Sequence, residues 1–455
     1  MKDRLSEALK KSTADYTEIR YEIEDSTSFG YRGREVDRVS SSKLAGGIVR
    51  ACTRGGWGMA VFDTLEDLDR QVQEACQAAA LVGKEKTELA DAAAPTDAHV
   101  VARMERDFRG VPLDEKLRLV AHYNDLLLGA DPAIETTNCG YSETFRTVYF
   151  ASSRGAYFME ERPYVVLHFG AVARDGALVQ MSHDSVSSAT DYGVVQGREA
   201  LVEETARRAA ALLKAPKVEG GTYSVILDQR LGGVFAHEAF GHLSEADFLY
   251  ENDQMRELMH LGRSMGVKEL NIVDDGSLDR YVGTHPYDDE GTPTQKTYLI
   301  REGVLVGHLH SLETAAKMGE KPTGNARAIR RGVPPIVRMT NTYIEGGNLS
   351  PEELFAGVDR GIYACSMLGG QTMMEQFTFS AAYGYRIENG QKGELIRDIV
   401  LTGNVFETLN AIDGFANDFK IIQAGGGCGK GGQAPLPVTF GAPHIRLRAV
   451  VVGGK

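Results

Sequence analysis

The chain has 455 residues, of which 42% are hydrophobic and 25% are charged, and its formal net charge is −13. This balance is typical of a soluble globular protein, and the length exceeds what one core usually serves, so we expect two domains. The acidic charge argues against a broad basic face of the kind that holds nucleic acid, so no direct nucleic-acid binding is expected.

The N-terminal segment and the cysteines predict a cytoplasmic protein. Residues 1–11 are charged throughout and lack the apolar stretch of a secretory signal, and no segment is long and apolar enough for a membrane helix. The five cysteines are Cys52, Cys76, Cys139, Cys365 and Cys428. Their number is odd and they form no C-x-x-C pair, so we expect free thiols in a reducing compartment.

The first half of the chain alternates between amphipathic helices and strand-like runs. Helices are predicted over residues 5–14, 65–81, 113–128 and 197–213, and strands over 18–24, 47–51, 58–62, 134–139, 146–151, 156–169 and 179–182. Residues 84–96 are interpreted as an exposed connector. We therefore predict an N-terminal α/β domain over residues 1–218, with long helices on an antiparallel sheet.

The composition changes after Pro216 and the pair Gly220-Gly221, which mark a domain boundary. Beyond it glycine is frequent, and short strands are predicted over residues 223–227, 297–300, 304–311, 396–401 and 444–452. This pattern predicts a β-rich C-terminal domain over residues 219–455, closed as a barrel or a twisted sandwich. The predicted fold class is thus α+β.

The most informative segment is His237-Glu238-Ala239-Phe240-Gly241-His242, which has the form H-E-x-x-x-H. Composition alone predicts fewer than about 0.04 such matches per chain. Two neutral imidazoles can each give a nitrogen to zinc, and a glutamate beside the first can accept a proton from water that the metal acidifies. We interpret His237 and His242 as metal ligands and Glu238 as a general base; two unrelated buried histidines are the alternative.

The spacing of the two histidines does not fit a regular helix. At roughly 100° per residue, side chains at i and i+5 lie about 140° apart and cannot share one ion. We expect the helix to open by one residue, as in a π-bulge, or to end near Gly241. Backbone regularity should therefore fail between Ala239 and Leu243.

A third ligand is required, and the residues alone leave two kinds of candidate. Glu245 and Asp247 lie within local reach of His242. Cys428 lies far along the chain, in the glycine-rich stretch of residues 425–432. Glycine permits the close backbone approach that a metal loop requires, and a metal would hold the cysteine as thiolate. An incidental cysteine in a flexible turn is the alternative.

Longer stretches of the sequence resemble the TldD/PmbA family of metallopeptidases, specifically its TldD-type catalytic branch. The stretches that carry the resemblance are residues 237–242 with 245–248, 273–276, 288–293, 323–327, 338–343, and 428–433 with 436–437. The resemblance implies that zinc is bound by His237, His242 and Cys428, and that Glu238 is the catalytic glutamate. All four residues are present, unlike in the family's inactive branch; Leu243 replaces a family glycine.

The resemblance also implies the domain organisation, the assembly and the substrates of the protein. It implies an N-terminal α/β domain, a β-rich C-terminal domain that carries the metal site, and a homodimer or a heterodimer with an inactive homologue. The implied substrates are unfolded or flexible peptides, including leader peptides. We expect such a peptide to bind in an extended conformation, by pairing with the edge of a sheet. The physiological substrate and the need for a partner chain do not follow from it.

Other polar groups in the sequence have a functional and a structural interpretation. The run Asp288-Asp289-Glu290 is either a solvated turn or a group that orients a zinc-bound histidine. His308 and His310 lie on one face of a predicted strand, where two histidines can bind metal, but nothing else in the sequence supports a second site. His285 and His444 are interpreted as surface or structural residues. The stretch 425–432 lacks the Ser or Thr of a phosphate-binding loop, which excludes nucleotide binding.

Three functions remain compatible with the sequence. The first is a zinc peptidase that hydrolyses unfolded or flexible peptides. The second is a zinc-dependent hydrolase of a non-peptide amide or ester, and the third is a non-catalytic peptide-binding subunit with a structural zinc. Three strong ligands and one base favour catalysis, because a structural site usually has four protein ligands.

Overall fold

A seven-stranded sheet organises the first half of the protein in the computed structural model, which describes residues 1–85 and 88–454. Its strands are β1 (Tyr16–Arg32), β2 (Glu35–Thr53), β3 (Gly56–Phe62), β4 (Ala98–Val100), β5 (Ile134–Ser152), β6 (Tyr157–Asp175) and β7 (Leu178–Ser188). Their order is β3-β2-β1-β5-β6-β4, with β7 also paired to β6. The sheet is antiparallel except where β4 runs parallel to β6, which confirms the predicted arrangement. Residues 86 and 87 of the predicted connector 84–96 lie outside the described residues.

Helices cover this sheet through apolar faces with helical spacing. They are α1 (Lys2–Leu9), α2 (Leu68–Val82), α3 (Leu113–Gly129) and α4 (Glu199–Lys214), with single 3₁₀ turns at Phe108–Gly110 and Tyr192–Val195. On α2, Val72, Ala75 and Ala79 are fully buried where the helix packs on β2 and β3. Helices α3 and α4 bury their apolar faces together against β5 and β6. Burial of these stripes supplies most of the stability of such helices.

The second half contains short helices and nineteen short strands among the described residues. The helices are α5 (Gln229–Phe235), α6 (Ala246–Tyr250), α7 (Asp253–Leu258), α8 (Leu312–Met318), α9 (Pro351–Ala356) and α10 (Val405–Asn410). The strands are β8 (Gly221–Leu227), β9 (Ile272–Asp275), β10 (Lys296–Arg301), β11 (Val304–Leu305), β12 (Ala326–Arg327), β13 (Ile336–Val337), β14 (Asn341–Ile344), β15 (Arg360–Cys365), β16 (Gly369–Met373), β17 (Gln376–Ser380), β18 (Tyr383–Glu388), β19 (Gln391–Ile396), β20 (Ile399–Asn404), β21 (Ile412–Phe415), β22 (Lys420–Ile422), β23 (Cys428–Lys430), β24 (Gln433–Leu436), β25 (Thr439–Ala442) and β26 (Ile445–Gly454).

Two open sheets enclose a buried helix in this half. The nine-stranded sheet runs β16-β17-β20-β26-β8-β15-β18-β19, with β21 beside β26, and the six-stranded sheet runs β11-β10-β9-β14-β25-β22. Helix α5 and its continuation lie in the core that both sheets share, where Phe235 packs edge-on against Phe377. The α+β class is confirmed, but no sheet closes into a barrel within the described residues. The buried helix occupies the space between the sheets and keeps them as separate layers.

The acidic run at residues 288–290 joins the two halves of the protein. Its three side chains are buried, and Asp289 accepts a hydrogen bond from Arg162 of β6 (2.8 Å), while Glu290 accepts one from Arg50 of β2 (3.1 Å). Asp288 instead accepts backbone N–H groups, including that of Ala326 (3.0 Å). Both earlier interpretations of this run are therefore wrong, because it is neither solvated nor bonded to a histidine of the H-E-x-x-x-H motif.

One strand prediction also fails. Of residues 304–311 only β11 is a strand, because the chain then leaves the six-stranded sheet, and Leu309 pairs with Glu245 through a single bridge. The predicted division into residues 1–218 and 219–455 stays a prediction; it falls in the connection between α4 and β8. Across the described residues, no helix combines the length and the apolar character needed to cross a bilayer.

Candidate metal centre

A widened helical turn brings the two motif histidines onto one face. Asp228 caps helix α5, because its carboxylate accepts the N–H of Leu231 (2.7 Å). The helix continues as a π-helix over Ala236–Gly241. The N–H of His242 donates to the carbonyl of His237. This i→i+5 bond places the two residues one above the other on the same face of the helix. Their ring centroids are 5.3 Å apart. The expected opening of the helix is confirmed.

Gly241 makes room for the side chain of Met339 and does not serve an unusual backbone conformation. Its φ and ψ are −55° and −49°, which any residue adopts in a right-handed helix. A Cβ at this position would lie 2.0 Å from Sδ of Met339, closer than two atoms can approach. The glycine therefore lets the widened turn pack against β14 and its preceding residues.

Cys428 reaches the histidines from a hairpin formed by β23 and β24. Its Sγ lies 3.3 Å from Nε2 of His242, and one donor atom from each of His237, His242 and Cys428 lies within 4.8 Å of the others. A Cβ on Gly427 would lie 2.4 Å from the carbonyl oxygen of Leu436, so this glycine permits close pairing of the strands. Cys428 is thus the first residue of a short strand, not part of a flexible turn.

The chemistry of these three residues suits a zinc ion. His237 is buried, and neither of its ring nitrogens has a hydrogen-bond partner among the described residues. An unpaired buried imidazole is costly, and a metal bond would satisfy one of its nitrogens. Two imidazoles and one thiolate also match the donor sets of zinc sites that leave a position open. That these residues bind zinc stays a prediction.

The site favours a thiolate even before a metal binds. Burial raises the pKa of the Cys428 thiol, but the neighbouring His237 and His242 outweigh it and lower that pKa to about 5. Burial likewise disfavours a charged His242, yet Glu245 and Cys428 raise its pKa to about 11. These shifts favour a thiolate paired with an imidazolium, so a metal would meet a deprotonated sulfur but would have to displace the second ring proton of His242.

Glu245 orients His242 and is itself held from the other side. Nδ1 of His242 donates to Glu245 (2.9 Å), which leaves Nε2 facing Cys428. Lys430 lies 3.0 Å from the Glu245 carboxylate and 2.6 Å from that of Asp247. Both acidic candidates for third ligand are thus engaged elsewhere. Sequence reasoning missed the orienting role of Glu245, although its three-residue distance from His242 was visible, and nothing local predicts Lys430.

Comparison with known proteins identifies the family. Models of the PmbA/TldA metallopeptidase domains match the chain at residues 17–80 (domain 1), 106–214 (central domain) and 220–454 (C-terminal domain). A metalloprotease of Synechocystis is 44% identical over 98% of this chain and 96% of its own length. The chain belongs to the PmbA/TldD metallopeptidase family. A zinc metalloprotease TldD homolog of Saccharolobus solfataricus is 34% identical over 69% of this chain and 70% of its own.

Solved structures share the fold of this PmbA/TldD chain. A putative modulator of DNA gyrase from Thermotoga maritima superposes with a TM-score of 0.80, 22% identity and 99% coverage of both chains. TldE from Thermococcus kodakarensis gives a TM-score of 0.79 at 19% identity, with 100% of both chains covered. At such identities the likeness concerns the fold alone.

Glu238 faces the open side of the metal centre in this PmbA/TldD protein. Its side chain is partly exposed, and Oε2 lies 3.7 Å from Nε2 of His242. It lines a cleft of about 390 Å³ together with His242, Lys430 and residues of β16. The cleft would let a substrate and a water molecule reach the carboxylate.

His285 and His444, also singled out from the sequence, lie elsewhere. His285 donates from Nδ1 to Glu160 (2.9 Å), and burial together with Arg162 lowers its pKa to about 4. His444 contacts Asp418 (2.6 Å) and the hydroxyl of Tyr363 (2.9 Å). Both join parts of the framework, as the structural interpretation predicted.

Proposed function

We propose that this chain is a zinc-dependent peptidase that hydrolyses unfolded or flexible peptides, with Glu238 as the general base. The observation that carries the proposal is the convergence of His237, His242 and Cys428 beside a partly exposed glutamate in an open cleft. Three protein ligands leave a coordination position for water or substrate, as catalytic zinc sites require.

Each residue has one role in the proposed reaction. Zinc, when bound, supplies a Lewis acid that polarises a carbonyl and acidifies water. Glu238 accepts the proton of the attacking water and returns it to the leaving amine. Glu245 keeps the His242 ring in the tautomer and orientation that ligation needs. Lys430 balances the buried charge of Glu245.

Strand β16 offers a recognition surface for an extended peptide. It is the terminal strand of the nine-stranded sheet, and Gly370, Gln371 and Thr372 line the same cleft as Glu238. The edge opposite β17 has no strand partner among the described residues. A peptide added there would bind through main-chain hydrogen bonds with little sequence preference. This supports unstructured chains as the substrate class.

Removal of the metal should abolish hydrolysis reversibly. We expect the purified chain to contain zinc and to digest casein, to lose this activity after chelation, and to regain it when zinc is restored. Fragment release is compared with turnover of small amides and esters. Activity on small amides alone would indicate the non-peptide hydrolase, and a zinc-loaded chain inactive on both would indicate the binding subunit.

The chain is further proposed to work as a homodimer or with an inactive homologue. The resemblance to the PmbA/TldD family supports this proposal, because it implies a dimer. Sedimentation of the isolated chain at micromolar concentration should show a dimer. A monomer with full peptidase activity would contradict this proposal.

A further inference from the structure

A second histidine-carboxylate cluster lies on the far side of the segment that follows His242. His308 and His310 project from the chain between β11 and α8, and both rings are buried. Glu320 follows Gly319, the residue that caps the C-terminus of α8 in the left-handed conformation (φ 69°). The reversal of the chain there returns the carboxylate of Glu320 beneath the two rings.

The near nitrogens of both rings face the two carboxylate oxygens. Nδ1 of His308 lies 2.9 Å from Oε1 of Glu320, and Nε2 of His310 lies 3.2 Å from Oε2. The His310 contact lacks hydrogen-bonding geometry, which leaves this buried nitrogen unpaired among the described residues. The other nitrogen of each ring has a polar partner. Nε2–H of His308 donates to the carbonyl of Met259 (2.8 Å), and Nδ1 of His310 contacts the hydroxyl of Thr314 (3.2 Å).

This pattern is the one that ligating imidazoles adopt. A metal-bound histidine usually bonds through its other nitrogen to a carbonyl or another polar group, which orients the ring. Nε2–H of His308 donates to a carbonyl, so its 2.9 Å contact with Glu320 is a hydrogen bond only if Nδ1 also carries a proton. In the neutral ring the lone pair of Nδ1 points at an anionic oxygen. A cation placed between them removes that repulsion.

We propose that His308, His310 and Glu320 form a second metal site, which binds a divalent transition ion of the zinc class. Their three donor atoms lie within 4.8 Å of one another. Two donors that each lie about 2.1 Å from zinc at a tetrahedral angle are about 3.4 Å apart, so the contacts of 2.9 and 3.2 Å need to widen by only a few tenths of an ångström. The side chain of Glu320 is 20% exposed, which gives an ion access from solvent.

The second site supports the first through the backbone. The N–H of Leu309, between the two histidines, donates to the carbonyl of Ser244 (2.8 Å), and the N–H of Ala246 donates to that of Leu309 (3.0 Å). These bonds enclose Glu245, which orients His242. A metal at the second site therefore stabilises the segment that positions a ligand of the first.

Metal content and cobalt spectra of four proteins test this site without reference to peptidase activity. Saturated wild-type protein should bind two ions per chain, Cys428→Ser one, Glu320→Gln one, and the double variant none. Cobalt in Glu320→Gln should keep the thiolate charge-transfer band, which also proves that this variant folds. Cobalt in Cys428→Ser should show ligand-field bands without the thiolate band.

The control is Glu313→Gln, which removes a carboxylate from the adjoining helix α8 and should bind both ions. Zinc should also raise the melting temperature of Cys428→Ser, but not that of the double variant. If wild-type protein binds a single ion and Cys428→Ser loses that ion, the proposal is overturned. The contacts of the two rings with Glu320 would then be hydrogen bonds made through ring protons. The first site would be unaffected by that result, so the two proposals fail separately.

Discussion

The Glu238→Gln protein is expected to keep its zinc and its fold but to lose peptide hydrolysis. Glutamine has the same shape as glutamate and cannot accept the proton of the attacking water, so the rate should fall by about 10²- to 10⁴-fold. Within the described residues, Glu238 has no lysine or arginine in an ion pair with it, and its nearest charged contact is His242 at 3.7 Å. Its neutralisation should therefore cost little stability.

The measurement compares zinc content, circular dichroism and the rate of casein digestion with those of wild type. Glu251→Gln is the matched control, because Glu251 is exposed and bonds only to the neighbouring Tyr250 hydroxyl among the described residues. Full peptidase activity in Glu238→Gln would remove this residue from the mechanism. Loss of zinc in that variant would instead make it a ligand.

The Cys428→Ser protein is expected to lose the ion of the first site, whereas Glu245→Gln keeps it. A serine hydroxyl stays protonated at neutral pH and is a poor zinc ligand. His237 and His242 would then be the remaining strong ligands, and the ring nitrogens of the buried His237 have no hydrogen-bond partner among the described residues. Glu245 contacts Nδ1 of His242 and not Nε2, which faces Cys428. Replacement of Glu245 by glutamine should therefore weaken zinc binding by only about 10- to 100-fold. Saturating zinc would still fill that site.

The thiolate band of bound cobalt is the readout for this comparison, because it reports the first site alone. Cys76→Ser is the control, since Cys76 is buried beside the hydroxyls of Ser12 and Thr17 and should accept a serine without loss of metal. The reverse order, with metal lost from Glu245→Gln and kept in Cys428→Ser, would make Glu245 the third ligand.

Periodicity predicted the long helices well because it is a local property. The helix predicted over residues 113–128 is α3, Leu113–Gly129, and that predicted over 197–213 is α4, Glu199–Lys214. Strands were less predictable. Residues 134–139 and 146–151 are one strand, β5, because pairing with β1 and β6 continues through the polar residues between them. Cross-strand partners, which decide strand length, are distant in sequence.

The contacts of the polar clusters were harder still to predict from the local sequence. In the sequence, Asp289 and Glu290 resemble a solvated turn. In the structure they are buried and bond to Arg162 and Arg50 of the seven-stranded sheet. His308 and His310 suggest a metal pair only by their alternation. What strengthens that suggestion is Glu320, which a seven-residue helix and a left-handed glycine return to the two rings.

The sequence by itself determined the chemistry of the first site and one feature of its geometry. The motif places two imidazoles and a carboxylate within six residues, and the i,i+5 spacing requires a widened turn, which is found at Ala236–Gly241. These conclusions follow from covalent spacing and helical pitch, which act over a few residues.

Only the tertiary structure shows what each candidate third ligand contacts. From the residues alone Glu245, Asp247 and Cys428 remained open, and the folded chain engages Glu245 with His242 and Asp247 with Lys430 while it brings Cys428 to 3.3 Å from His242. The reason is that Cys428 is 186 residues from His242, so their contact depends on the packing of the hairpin β23–β24 against the buried helix. Local spacing carries no information about contacts of that range.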